Sequence, residues 1–381
     1  MNINNYQSGT YKRQYEYQSF SPEPINHDWT FEDGEIQLLL SEADRALGEL
    51  NAFSQLIPDI DFFIRMHIAK EATQSSRIEG TRTNMEEALL SEQDIDPEKR
   101  DDWEEVQNYI MAINQAIEQL KSLPLSNRLL KDTHRKLMQG VRGETKQPGE
   151  FRTSQNWIGV SLKNAIFIPP HQDEVVELMS DLELFFHNEQ LHVPHLIKIA
   201  IAHYQFETIH PFLDGNGRLG RLMIALYLAD FGLLHKPALY LSDYFERNKT
   251  EYVDRLMAVR ESNDIKQWLV FFLHGVVETA GSSIQVFKDI ILLKEKLGRE
   301  VLPHFSTRRQ ANAQALIRLL YQSPALNIQI VANQLGIKTN TASALVNDFI
   351  KWGVLVEVTG KQRNRVFLFS EYIAIFRRHE A

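Results

Sequence analysis

Residues 210 to 221 read HPFLDGNGRLGR, and this short stretch joins two apolar runs that both have the period of a helix. Pro211 disfavours helical backbone at the residue before it, so His210 is predicted to leave the first helix and lie on a loop. Gly215 and Gly217 let successive backbone N–H groups point into one concavity, and the next helix brings its positive end to the same place. The segment is therefore predicted to form an anion-binding nest with a histidine beside it.

Two arginines follow the nest, and they favour a nucleotide-phosphate site over other kinds of glycine-containing segment. Arg218 and Arg221 are three residues apart, so they share a face of the first helical turn. The dinucleotide fingerprint requires a strand before the glycines, whereas residues Ile199 to Thr208 have a helical pattern. A P-loop requires Gly-Lys-Ser or Gly-Lys-Thr after a glycine-rich loop, and the chain has neither. The remaining alternative is a polar turn between two core helices, in which the histidine only caps.

This stretch resembles the signature of the Fic-domain proteins, His-x-Phe-x-Asp/Glu-Gly-Asn-Gly-Arg-x-x-Arg, and every signature position is filled. The resemblance covers roughly residues 20 to 280. It implies transfer of AMP from ATP to a hydroxyl side chain of a target protein, with Mg²⁺ bridging the phosphates. It also implies a general base at His210, a magnesium ligand at Asp214, an anion hole at Gly215, Asn216 and Gly217, inner-phosphate binding at Arg218 and γ-phosphate binding at Arg221, with Leu219 and Gly220 in the same nucleotide-binding segment.

The residue types suit this chemistry independently of the family resemblance. When a hydroxyl attacks the α-phosphorus, charge builds on the phosphate oxygens, and magnesium, arginine and preorganised N–H groups stabilise that charge. An imidazole that titrates near neutrality suits removal of the hydroxyl proton.

A second motif lies upstream. Residues 61 to 79 have the pattern of one helix, and Gly80 is a typical stop, so Glu79 lies where the helix dipole disfavours a negative charge. The run from Ser75 to Gly80, SSRIEG, resembles the inhibitory motif of the same family, Ser/Thr-x-x-x-Glu-Gly/Asn. The resemblance implies an N-terminal inhibitory helix whose Glu79 pairs with Arg221 and blocks the γ-phosphate. The alternative is a solvated glutamate at a frayed helix end.

Between the two motifs, two β-favouring runs flank a polar turn and end at Pro169 and Pro170, which predicts a hairpin. In the family, such a flap covers the nucleotide and pairs with an extended target segment. The resemblance places the following residues in the flap: Ala165, Ile166, Phe167 and Ile168. Tyr252 lies in a segment that resembles the wall of the adenine pocket, although an aromatic at helical spacing also suits a core. An ordinary surface hairpin is the alternative for the flap.

Length and composition bound the organisation of the chain. At 381 residues it is too long for a single ordinary core, and three domains are predicted: residues 1–110 with the inhibitory helix, 111–300 as the catalytic domain, and 301–381. The absence of cysteine excludes a disulfide framework and thiol chemistry. The first twenty or so residues lack the apolar core of a signal peptide and are predicted to be poorly ordered. Apolar runs such as Trp268 to Val277 are too short for a bilayer span, which predicts a cytoplasmic protein without a membrane partner.

The character of the chain changes after residue 300. Residues 301–381 carry ten Lys and Arg against four Asp and Glu, whereas the whole chain has a formal net charge of −9. Two helical patterns, Ile328 to Leu335 and Asn340 to Trp352, precede two short β patterns, an order that resembles a winged helix-turn-helix. The wing residues Lys361, Arg363 and Arg365 suit phosphates, but such modules also bind proteins. The module could bind DNA or a protein. The rest of the chain is acidic and would repel DNA, which favours protein binding.

The sequence thus predicts a mostly α protein: a helical Fic-type catalytic core with a β-hairpin flap and a C-terminal winged helix-turn-helix. The predicted function is a protein adenylyltransferase autoinhibited by Glu79, with ATP and an unidentified target protein as partners, and with self-modification or homo-oligomerisation bringing in a second copy of the chain. Removal of AMP and transfer of another nucleotide stay open. The alternative is a transcription regulator or ligand sensor, which needs phosphate ligands but no base such as His210.

Overall fold

The computed structural model describes residues 2–56, 60–140 and 144–377. Most of these residues are helical, and the strands form small antiparallel sheets. Within the described ranges the helices are α1 (Gly34–Leu56), α2 (Ile60–Ile78), α3 (Met85–Ala88), α4 (Arg100–Gln119), α5 (Asn127–Leu137), α6 (Val175–His187), α7 (His195–Ile209), α8 (Asn216–Asp230), α9 (Ser242–Arg247), α10 (Lys249–Ser262), α11 (Ile265–Glu300), α12 (Thr307–Gln322), α13 (Ile328–Leu335), α14 (Thr339–Lys351) and α15 (Ser370–Arg377). The strands are β1 (Gly9–Arg13), β2 (Gln18–Pro22), β3 (Ile158–Gly159), β4 (Ala165–Phe167), β5 (Ala325–Leu326), β6 (Val356–Glu357) and β7 (Phe367–Leu368).

Helices α7 and α8 pack against each other at the centre of the core. Every residue of α7 from Leu196 to Ile209 is buried, and α8 is buried along nearly its whole length. Helices that are covered on all sides in this way belong to the interior of a domain. The loop that joins them, residues 210 to 215, is therefore held at both ends by rigid elements, which fixes the backbone of the predicted site.

Helix α11 runs alongside α1 and α7, and the Trp268 indole donates a hydrogen bond to the Ala200 carbonyl at 2.8 Å. Among the described residues, one helical segment is long and apolar enough to cross a membrane. It comprises α11 and the turn that follows, Ile265–His304, and its most apolar window has a mean hydropathy of 1.3. The apolar run predicted from Trp268 to Val277 is thus part of a longer helix than expected. However, 61% of that window is buried inside the protein, which is the environment of a core helix.

The prediction that the first twenty or so residues are poorly ordered is wrong for the described ones. Strands β1 and β2 form a regular antiparallel hairpin, and the Phe20 N–H donates to the Ile168 carbonyl at 2.9 Å, so the hairpin continues onto the end of the flap. Its polar side chains are satisfied by long-range partners. The Ser8 hydroxyl, for example, donates to the Asn263 side chain at 2.8 Å. Polar composition predicted disorder because such partners are distant in the chain, 255 positions for Ser8 and Asn263 and 162 positions for Lys12 and Glu174.

The C-terminal residues form helices α12 to α15 and a three-stranded sheet of order β5-β7-β6. Helix α13 has the predicted bounds, and Gly336 ends it with a left-handed backbone (φ +64°) before α14 begins. This order of elements supports a winged helix-turn-helix, and the assignment stays a prediction. One of the three predicted wing cations, Lys361, pairs with Asp94 at 2.6 Å.

This C-terminal module packs on α2, the helix that carries the predicted inhibitory motif. The Phe63 ring makes edge contacts with Tyr321 and Tyr372, at centroid distances of 5.7 and 6.4 Å. The predicted boundary between residues 110 and 111 lies inside α4, which is continuous from Arg100 to Gln119. The N-terminal and catalytic parts therefore share a helix at that point.

Replacing Phe63 with alanine is expected to lower the free energy of unfolding by about 3–5 kcal/mol, because it leaves a cavity between α2 and the C-terminal module. Chemical denaturation followed by circular dichroism measures this loss. The neighbouring Phe62 is only half-buried, so Phe62→Ala should cost clearly less. Equal losses in the two variants would contradict the packing of Phe63 against the C-terminal module.

Candidate functional site

His210 follows the last residue of α7 and has a left-handed backbone, with φ 49° and ψ 60°. A side chain other than glycine adopts this region at a cost, so the surrounding structure must hold it. The His210 carbonyl accepts hydrogen bonds from Arg152 Nε at 2.9 Å and Asn156 Nδ2 at 3.0 Å. Two residues on, Phe212 is buried and stacked on the His134 ring, with centroids 3.8 Å apart. The loop is thereby clamped on both sides of the histidine.

The predicted nest opens helix α8. Gly215 precedes the helix with φ +75°, and the Asn216 side chain accepts from the Phe212 N–H at 2.8 Å and donates to its carbonyl at 2.9 Å. A Cβ at position 215 would displace the Met138 side chain, and the left-handed backbone angle itself favours glycine. The free N–H groups of the first turn of α8 then lie at the positive end of the helix, where an anion is stabilised.

Both predicted phosphate-binding arginines are buried, and both are paired with carboxylates. Arg221 Nη2 donates to Glu79 Oε1 at 2.7 Å and to the Ser75 carbonyl at 2.9 Å, while its Nε donates to the Ser75 hydroxyl at 2.9 Å. The two ends of the predicted inhibitory motif therefore hold one guanidinium. Arg218 Nη1 donates to Glu105 Oε2 on α4 at 3.0 Å, a partner that no sequence motif indicated.

Glu79 lies just after the end of α2, and Gly80 turns the chain with φ +105°. A Cβ on Gly217 would overlap the Glu79 carboxylate, so this carboxylate lies directly against the nest. The Glu79 side chain is partly exposed, and its partial removal from water works against ionisation, but the Arg221 guanidinium outweighs this effect and holds the pKa of Glu79 below its usual value. A charged carboxylate thus lies where an anionic ligand would meet Arg221.

A cavity of about 420 Å³ joins most of the predicted site residues. Those that line it are Glu79, Ile166, Phe167, His210, Asp214, Gly215, Asn216, Gly217, Arg218, Arg221 and Tyr252. Those that do not are Ser75, Gly80, Ala165, Ile168, Leu219 and Gly220. Ser75 and Leu219 are fully buried, and Ser75 reaches the site only through Arg221. The cavity is lined by two arginines, the nest, a histidine and the flap, which are the groups that the sequence predicts to bind a nucleotide.

The flap is an antiparallel hairpin of β3 and β4, with Ile158 opposite Phe167. Tyr252 on α10 is buried, and its hydroxyl lies 2.9 Å from His203 Nε2. The Tyr252 ring also stacks on Phe245, with centroids 4.5 Å apart, so this tyrosine serves both the cavity wall and the core.

Burial and the nearby charges of Arg260 and Arg152 lower the pKa of His210 to about 4, below the near-neutral value expected from the sequence. The imidazole is therefore uncharged at neutral pH and has a lone pair to accept a proton. Glu207, one turn before His210, also faces the cavity, and burial raises the pKa of its carboxyl to about 7. These groups place an available base beside the nest.

Sequence reasoning missed several residues that hold this site together, namely His134, Arg152, Asn156, Glu207 and Arg260. They belong to no motif, and their partners are distant in the chain. The GEFR run that contains Arg152 is polar and glycine-containing, and reads as an ordinary turn. Only the folded structure shows that its arginine is almost fully buried.

Asp214 is the predicted magnesium ligand, and its exposed carboxylate lies at the rim of the cavity. His134 lies 2.9 Å from the Asp214 carbonyl and holds the backbone, while one carboxylate oxygen accepts from the Gly215 N–H at 2.6 Å. Across the described ranges there is no group of three His, Asp or Glu side chains that would bind a metal unaided. A single carboxylate facing a phosphate site still fits Mg²⁺, which takes one or two carboxylates with substrate phosphates and water as its other ligands.

The site is thus a histidine, an anion nest and two arginines at the junction of two buried helices, and its class follows from sequence comparison. Residues 37–118 match the N-terminal region of the Fic/DOC family, and residues 124–228 match the Fic/DOC family itself. The chain therefore contains the N-terminal region and the domain of the Fic/DOC family, which confirms the resemblance seen in the sequence.

The chain is also similar to curated proteins and solved structures of this family. It is 27% identical over 173 residues to the protein adenylyltransferase Fic of Aedes aegypti, covering 45% of this chain and 32% of that protein. It is 32% identical over 143 residues to the protein of the same name from Culex quinquefasciatus, covering 37% of this chain and 26% of that protein. The chain therefore spans no more than about a third of these relatives.

Among solved structures, a Fic family protein from Desulfovibrio desulfuricans superposes with a TM-score of 0.55 at 20% identity, covering 90% of this chain and 98% of that one. A Fic domain containing signaling protein from Bacteroides thetaiotaomicron superposes with a TM-score of 0.51 at 17% identity, covering 67% of this chain and 97% of that one. At these identities the likeness concerns the fold, and it confirms the predicted mostly helical class.

Proposed function

We propose that this protein transfers AMP from ATP to a hydroxyl side chain of a target protein. The observation that carries the proposal is the cavity in which an uncharged histidine lies beside an anion nest and two arginines. The name of the curated relatives, protein adenylyltransferase, supports the same reaction.

The reaction assigns one task to each group. The target hydroxyl gives its proton to His210 while its oxygen attacks the α-phosphorus, and the bond from that phosphorus to the bridging oxygen of the diphosphate breaks. Diphosphate leaves, and AMP stays on the target oxygen. Arg218, Arg221 and the N–H groups of the nest stabilise the charge that grows on the phosphate oxygens. His210 suits proton transfer because it is already deprotonated at neutral pH.

Magnesium, when bound at Asp214, would neutralise phosphate charge and stabilise the leaving diphosphate. The Asp214 side chain itself provides an exposed carboxylate at the rim of the cavity, on a backbone held through its carbonyl and the following N–H.

We further propose that the protein as described is autoinhibited. Arg221 has three hydrogen bonds to Ser75 and Glu79, and the Glu79 carboxylate lies against the nest. An incoming γ-phosphate would have to displace this carboxylate from the guanidinium. The ion pair therefore competes with productive binding of the triphosphate.

Incubation with a cell lysate and ATP labelled at either the α- or the γ-phosphate tests the proposed reaction. Relative to a lysate without this protein, we expect additional protein-bound label from α-labelled ATP only, because the γ-phosphate departs with diphosphate. Mass spectrometry should then find AMP on a serine, threonine or tyrosine of a target or of the protein itself. Label from γ-labelled ATP would indicate phosphoryl transfer and contradict the proposal, and an absence of label in the Glu79→Gly protein as well would also contradict it.

A further inference from the structure

We propose that Arg152 and Arg260 are positioning residues that together cap the C-terminal end of α7 and place two buried positive charges beside His210. The catalytic meaning of this pair rests on the proposed function, whereas its effect on the histidine is a property of the fold. Neither arginine belongs to the signature or to the inhibitory motif.

Arg152 is 2% exposed and directs its guanidinium at backbone carbonyl groups. Its Nε donates to the His210 carbonyl at 2.9 Å, and its Nη2 donates to the Ile209 carbonyl at 3.3 Å and to the Pro170 carbonyl at 2.6 Å. Its Nη1 donates to the Ser154 carbonyl at 3.3 Å. One side chain thus joins the end of α7 to the segment that closes the flap.

Arg260, on α10, approaches the same helix end from another side. Its Nη2 donates to the Glu207 carbonyl at 3.2 Å, and its Nε donates to the Thr208 hydroxyl at 3.1 Å. Its guanidinium lies over the Phe167 ring of the flap, 3.9 Å from the ring centre. The two arginines therefore bind consecutive residues of the last turn of α7, from Glu207 to His210.

This arrangement stabilises the C-terminal end of α7. The last four carbonyls of an α-helix have no partner within the helix, and they carry the negative end of its dipole. A cation near the helix end donates hydrogen bonds to these carbonyls and neutralises the negative end of the dipole. Such cations usually belong to exposed side chains of the helix itself. Here the cations come from outside the helix and are buried, so their charge acts at short range on the residue that follows.

The residue that follows is His210, and the charges around it oppose its protonation. Burial and the charges of Arg260 and Arg152 lower the pKa of His210, while the Glu207 backbone and the Glu79 carboxylate act in the opposite direction. Among the described residues, the buried Nδ1 of the ring has no partner within hydrogen-bond distance. Arg221 and Asp214 line the same cavity at the nest.

Titration of His210 by nuclear magnetic resonance in the full-length protein, with labelled histidine, tests the pair without requiring any activity. In the wild type, His210 should titrate far below the ordinary histidine range. Arg152→Gln removes the charge but keeps hydrogen-bond donors, and it should raise the midpoint by on the order of one pH unit. Arg152→Lys keeps the charge, so it should leave the midpoint nearly unchanged.

Asn156→Ala is the matched control, because Asn156 bonds the same loop through the carbonyls of His210 and Phe212 but carries no charge. It should move the midpoint less than Arg152→Gln does. If Arg152→Gln does not fold, Arg260→Gln provides the same test, with the same expected direction. An unchanged midpoint in a folded charge-removing variant would overturn the proposal, as would an equal shift in Asn156→Ala.

Transfer activity gives a second readout in the Glu79→Gly background. A base acts only when deprotonated, so raising the pKa of His210 should move the acidic limb of the kcat/KM profile to higher pH in Arg152→Gln. Arg152→Lys should lower the rate without moving the limb. If the wild type and Glu79→Gly transfer no AMP while the titrations behave as expected, the proposed function fails and the inference about the arginine pair stands.

Discussion

Replacing His210 with alanine should lower the rate of AMP transfer by about 10²–10⁴-fold while ATP still binds. In the proposed reaction the imidazole accepts the proton of the target hydroxyl, whereas Arg218, Arg221 and the nest bind the triphosphate. Transfer is measured with α-labelled ATP in the Glu79→Gly background, so that inhibition does not hide the effect. Binding of ATP is measured by calorimetry on the same protein.

The control for this prediction is His192→Ala, since His192 is exposed and lies outside the cavity. It should leave both transfer and binding unchanged. Wild-type transfer by His210→Ala would show that the proton leaves by another route, and would refute the role of His210 as the base.

Replacing Glu79 with glycine should raise transfer by about tenfold to a hundredfold, because Arg221 becomes free for the γ-phosphate. A blocking ion pair of ~3 kcal/mol would change the productive population more than a hundredfold. The Glu79 side chain is 40% exposed, however, so solvent weakens the pair and a smaller gain is expected. Self-modification with α-labelled ATP measures the gain.

Two further variants separate the charge from the shape of Glu79. Glu79→Gln keeps the size of the side chain but removes its charge, and it should give an intermediate gain. Arg221→Ala added to Glu79→Gly should cancel the gain, since the freed guanidinium is then missing. An unchanged or inactive Glu79→Gly protein would argue against inhibition by α2.

The sequence allowed the central part of the site to be predicted because its groups lie within twelve consecutive residues. Proline, glycine and the helical period each determine the backbone of nearby residues. The structure accordingly has the expected helix end at His210 and a left-handed Gly215. The helix that precedes Glu79 could also be predicted from its pattern and from Gly80 as a stop, and the structure contains the pair of Glu79 and Arg221 that the family resemblance implies.

The residues that brace the site could not be predicted in this way. Arg152 and Arg260 lie 58 and 50 positions from His210, and nothing local in their segments distinguishes a buried helix cap from an exposed charge. The pairing of Arg218 with Glu105 depends on how α4 packs against α8. The N-terminal hairpin was missed for a related reason: its polar groups are satisfied by residues that only the fold brings near.

Adduct mass and diphosphate release, followed together in Glu79→Gly incubated with ATP and magnesium, test AMP transfer most directly. We expect one diphosphate for each AMP that becomes attached to a hydroxyl side chain, and a loss of both products by about 10²–10⁴-fold when His210→Ala is added. Release of inorganic phosphate with a phosphate adduct, or equal yields of AMP adduct with and without His210, would contradict it.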